Sequence, residues 1–206
     1  MIDNDYYKHV ADTYDRQWKA YTDRTLGKVD EYLPDLAGKT ILDHGCGTGE
    51  LIWKMLVSNS RVMQVIGYDP SEEMLQQARN KLHLLPDDLR KKVGLQHKDQ
   101  YDTQFDLIVS TSVLHYLPQP QATLERWRSL LRPGGTIVLL DYSKHGWLPR
   151  YFEWAIRLVD QAHHRAYYLS QAEAMVERAG FRMESREVFT ISSFWQGFII
   201  QASIPN

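Results

Sequence analysis

A chain of 206 residues with 43% hydrophobic content is long enough for one sizeable α/β core and short for two. Its formal net charge of -2 at pH 7, with only small basic clusters at Lys91-Lys92 and between Arg126 and Arg132, argues against a phosphate-dominated partner, since nucleic-acid binders present a basic face that displaces counterions. No apolar run reaches the roughly 18 residues of a membrane span, the start Met1-Ile2-Asp3-Asn4-Asp5 lacks signal-peptide order, and the single Cys46 excludes an internal disulfide or a cysteine-rich metal site, so a soluble cytoplasmic protein without a transmembrane segment is expected.

Residues 4 to 33 carry Tyr7, Val10, Ala11, Tyr14, Trp18, Tyr21, Leu26, Val29 and Leu33 at roughly helical spacing, interrupted near Thr22-Asp23, which predicts two helices ahead of a sheet. Lys39 to Leu42 follows Gly38 as a first strand, and a helix opened by Gly49 carries Leu51, Ile52, Met55 and Leu56 on one face. Between them stands Asp43-His44-Gly45-Cys46-Gly47-Thr48-Gly49. Glycine visits positive φ freely, so such a turn lets backbone hug a small molecule at the strand's carboxyl end. The spacing departs from the dinucleotide fingerprint Gly-x-Gly-x-x-Gly and has its acid before the first glycine, which favours another cofactor.

Val65 to Asp69 reads as a second strand, followed by Ser71 as an N-cap, Glu72 and Glu73 in the first turn, and a buried stripe of Met74, Leu75, Ala78 and Leu82. Val93 to Gln96 and Phe105 to Ser110 are strands with little room for a helix between them. A helix over Ala122 to Leu131, with Leu124, Trp127, Leu130 and Leu131 facing inward, is broken by Pro133-Gly134-Gly135. Thr136 to Leu140 has the unbroken apolar character of a parallel strand covered on both faces. After an irregular segment from Ser143 to Leu169, Ser170-x-x-Glu173 predicts a capping box and Gly180 closes that helix. Phe181 to Ile191 and Phe194 to Ser203 read as a hairpin. The expectation is one domain over 1–206, with a helical cap at 1–33 and a lid-like insert at 143–169.

Asp43-x-Gly45-x-Gly47-x-Gly49 resembles motif I of the class I S-adenosylmethionine-dependent methyltransferases. Val65-Ile66-Gly67-Tyr68-Asp69 resembles that family's second strand with its ribose-binding acid, and Pro70 to Leu75 the helix start that follows. Phe105 to Ser110 with Val113-Leu114-His115-Tyr116-Leu117 is similar to the fourth strand and its loop, and Leu131-Arg132-Pro133-Gly134-Gly135 to the turn before the fifth. The resemblance runs over about residues 35 to 142. It implies a Rossmann-like, doubly wound, seven-stranded α/β sheet, mostly parallel, with an antiparallel strand from the C-terminal hairpin, helices on both faces and S-adenosyl-L-methionine as cofactor.

On that resemblance Asp43, Gly45, Cys46, Gly47 and Gly49 surround the methionine part of the cofactor, Cys46 by packing between two glycines. Asp69 accepts the ribose hydroxyls; the bland alternative is a strand-end acid bonded to the next turn. Pro70 and Met74 border the adenine, Asp99 and Gln100 lie where its amino group is contacted, and Ser110 and Thr111 offer backbone carbonyls to the methionine portion. His115 is a base or a loop cap, and Asp160 and His163, one helical turn apart in the insert, form either an oriented imidazole or a surface ion pair. No metal site is expected, because the adjacent His163 and His164 face different ways on a helix and no acidic set suits magnesium.

Six tryptophans and twelve tyrosines are many for this length. Tyr14, Trp18, Tyr21, Trp147, Tyr151, Phe152, Trp154, Tyr167, Tyr168 and Trp195 suggest an aromatic acceptor pocket. The expected acceptor is a small or lipid-like organic molecule, quinone-like aromatics included, methylated by metal-independent in-line displacement with no nucleic-acid partner. A protein or other macromolecular acceptor is the second enzyme reading. A non-catalytic cofactor-binding module and a nucleotide-binding oxidoreductase are the alternatives outside the methyltransferases. Oligomeric state is left open.

Overall fold

Apolar strands and amphipathic helices alternate along the chain, and they assemble as a helix-covered sheet. A computed structural model describes residues 5–143, 165–192 and 195–205. The N-terminal segment is one continuous helix, α1 (Asp5–Asp30), and not the expected two. The polar pair that suggested a break lies within the helix, where Lys19 and Asp23 form an i, i+4 ion pair at 2.6 Å and Thr25 Oγ1 donates back to the Tyr21 carbonyl at 2.9 Å.

Then follow β1 (Thr40–His44), α2 (Glu50–Ser58), β2 (Gln64–Tyr68), α3 (Glu72–Leu82), the one-turn α4 (Asp87–Arg90), β3 (Val93–Gln96) and β4 (Phe105–Thr111). A 3₁₀ turn (Leu114–Tyr116), α5 (Pro120–Leu130), β5 (Leu131–Ser143), α6 (Leu169–Arg178), β6 (Arg182–Thr190) and β7 (Gln196–Ser203) complete the described chain. Ser71 caps α3 as expected, its side chain accepting from the Met74 N–H at 3.2 Å. At α6 the expected Ser170–Glu173 box is displaced: the Tyr168 N–H donates to Gln171 Oε1 at 3.1 Å, because the N-cap lies two residues earlier, at Tyr168. Gly180, at φ +86°, closes α6.

The seven strands run in the order β3-β2-β1-β4-β5-β7-β6. All neighbouring pairs from β3 to β5 are parallel, and β7 is antiparallel to both β5 and β6. This is the Rossmann-like mixed sheet of the expectation. Alternation along β1 sends Ile41 into the core beneath α1, α2 and α3, and Leu42 into the core beneath α5 and α6. Strand order reverses between β1 and β4, so the crevice at their carboxyl ends is where a ligand sits in a doubly wound sheet.

Candidate functional site

The glycine turn leaves β1 and is pinned to the end of β2. The N–H groups of Gly45 and Cys46 both donate to the Tyr68 carbonyl, at 2.7 and 2.9 Å. Gly45 has φ +84°, and a Cβ there would lie 2.2 Å from Val113 Cγ2, so only glycine lets the two loops approach. Asp69 bridges the turn to α3: Gly47 N–H donates to Oδ2 and Ser71 N–H to Oδ1, both at 2.9 Å. Each oxygen keeps acceptor capacity for a further hydroxyl. Gly45, Gly47, Tyr68, Asp69 and Val113 line an open cleft.

Of the residues expected from sequence, Gly45, Gly47, Asp69, Pro70, Met74 and Thr111 line this cleft. Asp43 lies beneath it, 1% exposed, and among the described residues neither of its carboxylate oxygens has a hydrogen-bond partner. Burial, with the nearby Asp69 charge adding to it, pushes the Asp43 carboxyl up to about 8. Gly49 packs against Ala78 and Leu82, and Cys46 belongs to the apolar core. Ser110 is buried and its hydroxyl donates to the His44 carbonyl at 3.0 Å. Asp99 is ion-paired to Arg126 at 3.1 Å, and the Gln100 carbonyl accepts from Gln96 at 2.8 Å; neither residue is among those lining the cleft. His115 is buried, its Nδ1 2.7 Å from Asp141 Oδ1 and its backbone N–H donating to Oδ2 at 3.1 Å. That pairing ties the 3₁₀ turn to β5. Asp160, His163 and His164 lie outside the described residues.

A methyltransferase-domain family model matches residues 10–186. The chain belongs to this family. It carries a methyltransferase domain of the S-adenosylmethionine-dependent class. Its fold superposes on a chain of the complex between the Haloferax volcanii Trm112 methyltransferase activator and a methyltransferase, with TM-score 0.81 and 18% identity over 98% of this chain and 97% of that one. It also superposes on a Haemonchus contortus phosphoethanolamine N-methyltransferase bound to phosphomonomethylethanolamine and S-adenosylhomocysteine, with TM-score 0.78 and 19% identity, covering 98% of this chain and 60% of that one. In sequence it is similar to the tRNA U34 carboxymethyltransferase of Idiomarina loihiensis, 35% identical over 130 residues, which are 61% of this chain and 39% of that protein.

Relatives named for a tRNA substrate correct two expectations about the methyltransferase: the small or lipid-like acceptor and the absence of a nucleic-acid partner. The physical reason is plain in both cases. Net charge is a sum over the whole surface and does not report where cations gather, and aromatic side chains receive a nucleobase as readily as a small aromatic metabolite.

Several cleft residues of the methyltransferase escaped the sequence reading. His44, Tyr68, Ser112, Val113, Tyr116 and Leu117 line the cleft beside residues that were anticipated, and their signal was that adjacency. Tyr14, one of the aromatics expected at an acceptor pocket, lines it from α1. The helix is held there by Asp15, which accepts from Thr48 Oγ1 at 2.6 Å and pairs with Lys81 at 2.7 Å. Ser112 adopts φ +58°, with its N–H donating to the Leu140 carbonyl at 2.8 Å and its hydroxyl 2.7 Å from the Tyr21 hydroxyl. A non-glycine residue in this region is held by its surroundings, here by β5 and α1 together. Burial pushes His44 down to about 4, so the ring is neutral between Tyr68 and Trp127.

The described residues fit the cofactor. Unpartnered buried carboxylate oxygens on Asp43 call for a cationic or donor group, the glycine turn leaves space at Gly47 where an added Cβ meets nothing within 4 Å, and Asp69 offers two acceptor oxygens. Among the described residues no cluster of three or more His, Cys, Asp or Glu is placed to hold a metal. A proton-linkage result follows. The raised carboxyls, Asp43 at about 8 and Asp69 at about 6, favour the protonated form in the empty fold. Their contribution to stability is therefore full below the ordinary aspartate range and is lost as pH rises through those values. A cationic ligand reverses the preference, so binding at pH 7 releases protons. Titration calorimetry in buffers of different ionisation enthalpy measures that release, and Asp43→Asn reduces it; buffer-independent heats would show that Asp43 is already ionised.

Proposed function

We propose that this methyltransferase transfers the methyl group of S-adenosylmethionine to a nucleobase of RNA, of tRNA in the first instance. The observation that carries the reading is the 35% identity to a tRNA-modifying enzyme. The chain spans about two-fifths of the length of the curated relatives it matches, so the substrate is the step proposed. In this reading residues 1–206 act as one domain in the cytoplasm, with α1 as its cap.

The cofactor supplies an electrophilic methyl group on a cationic sulfur. The protein's share is to position and to exclude water. Asp69 would hold the ribose and the glycine turn would lie along the methionine portion, with Asp43 facing its ammonium. Tyr14 and Tyr116 close the cleft from α1 and the 3₁₀ turn. The relatives are named for carboxymethyl transfer, but in this chain the charge argues for methyl. Among the described residues no Lys or Arg lines the cleft, and Asp43 and Asp69 are the acids beside it. A carboxylated donor would bury a further negative charge there with no cation among the described lining residues to pair it.

The test is transfer from methyl-labelled S-adenosylmethionine to bulk tRNA, followed by nuclease digestion and nucleoside mass analysis. A labelled nucleoside one methyl heavier is expected. Label confined to protein would end the RNA reading, and a nucleoside heavier by a carboxymethyl group would end the argument from charge.

A further inference from the structure

Tyr14, Trp18 and Tyr21 recur at i, i+4 and i+7 on α1, which places them on one helix face. All three are half-buried, as is Trp195 at the mouth of the β6–β7 hairpin. Trp18 and Trp195 stack with ring centroids 5.8 Å apart and planes 21° from parallel. Tyr21 stands edge-on to both, at 5.9 and 5.7 Å, and Tyr14 lies 6.4 Å from Trp18. The set is continuous with the cleft, because Tyr14 lines it and Tyr21 bonds Ser112, which also lines it. Trp18, Tyr21 and Trp195 are not among the residues lining the cofactor cleft.

Cationic groups flank the set. Arg24, on α1, donates from Nε to the carbonyl of Thr190 at 3.3 Å, and Thr190 is the register partner of Gln196, next to Trp195. Arg165 is exposed, with its guanidinium 5.9 Å from the Tyr167 ring and its backbone N–H on the His115 carbonyl, beside the 3₁₀ turn that supplies Tyr116 to the cleft. Among the described residues neither guanidinium is paired with a carboxylate. Aromatic faces next to unneutralised guanidinium groups are the chemistry that receives an unpaired base and its phosphates.

We propose that Trp18, Tyr21 and Trp195 form a stacking platform for an unpaired base of an RNA strand whose phosphates are met by Arg24. The inference rests on the RNA reading above and names how the strand docks. A single-stranded strand is specified because a paired base has both faces covered by its neighbours in the helix.

The test uses a fluorescently labelled mixed-sequence single-stranded oligoribonucleotide, the same strand annealed to its complement, and S-adenosylhomocysteine as a control ligand. Trp195→Ala and Trp18→Ala are expected to weaken single-strand binding about 5- to 100-fold, within the range of one stacked base, while S-adenosylhomocysteine affinity stays within about twofold of the parent protein and the duplex binds weakly throughout. Arg24→Gln lowers RNA affinity and reduces the slope of its salt dependence by about one phosphate contact. Should an alanine variant fail to fold, Trp195→Phe and Arg24→Gln carry the test, the former retaining most of the affinity. Single-strand binding unchanged in the folded variants overturns the platform and leaves the RNA reading standing. Parallel loss of RNA and S-adenosylhomocysteine affinity overturns it in favour of mere packing of α1 on the hairpin. Absence of any RNA binding or methylation by the parent protein removes the RNA reading itself.

Discussion

Replacing Asp69 with alanine lowers the affinity for S-adenosylhomocysteine by about 100-fold or more, since two charge-assisted hydrogen bonds at about 1.5–3 kcal/mol each are lost. The carboxylate serves two purposes in the structure. It accepts the N–H groups of Gly47 and Ser71, which fixes the glycine turn against the start of α3, and it presents its remaining lone pairs to the cleft. Asp69→Asn keeps the shape and one good acceptor, so its loss of affinity is intermediate. The sheet survives both changes, because Asp69 follows β2 and contributes no apolar packing. Burial raises this carboxyl to about 6, against the lowering effect of the two backbone N–H groups, so parent affinity declines as pH falls below that value and the acceptor becomes protonated. Calorimetric titration of the folded variants reads the result. Parent-like affinity in Asp69→Ala would remove the ribose role.

Gly45→Ala is the second large effect, and its cause is steric. The residue sits at φ +84°, and its new methyl would overlap Val113 Cγ2 at 2.2 Å. Left-handed backbone costs an L-residue about 1–2 kcal/mol, and overpacking a fixed contact about 1–3 kcal/mol. A lower Tm and a loss of about fivefold or more in S-adenosylhomocysteine affinity are expected, since about 1 kcal/mol at the low end of those costs is about a factor of five. Adding Val113→Ala relieves the overlap and restores part of both, leaving the backbone term. Gly47→Ala is the control: its φ is +51° but nothing lies within 4 Å of the added methyl, so its stability loss is the smaller one. A Gly45→Ala protein with parent Tm and affinity would show that the two loops separate freely.

What was legible in the sequence was what neighbours in the chain dictate. The apolar stripe of Met74, Leu75, Ala78 and Leu82 is buried as a set, Ser71 caps that helix, and β3 has the bounds its residues suggested. The second helix that Thr22-Asp23 seemed to demand does not exist, because an i, i+4 ion pair satisfies the polar break on the solvent side of α1. Gln171, and not Glu173, reaches back to cap α6, a difference of two residues in where the helix starts.

Taken alone, then, the amino-acid sequence determined the alternating βα units, the glycine turn after β1, the strand-end acid Asp69 and the family. The units, the turn and the acid are written in periodicity, turn chemistry or spacing within a few residues, and the family in the resemblance of its motifs. The tertiary structure decided which side chains share the cleft. It laid α1 across the crevice through Asp15 and Tyr21, forced Ser112 into left-handed backbone, drew His115 onto Asp141, and buried Asp43 with no hydrogen-bond partner among the described residues. Those outcomes depend on contacts between residues far apart in the chain and on the loss of water around them, and neither distance in space nor desolvation is encoded in a local pattern.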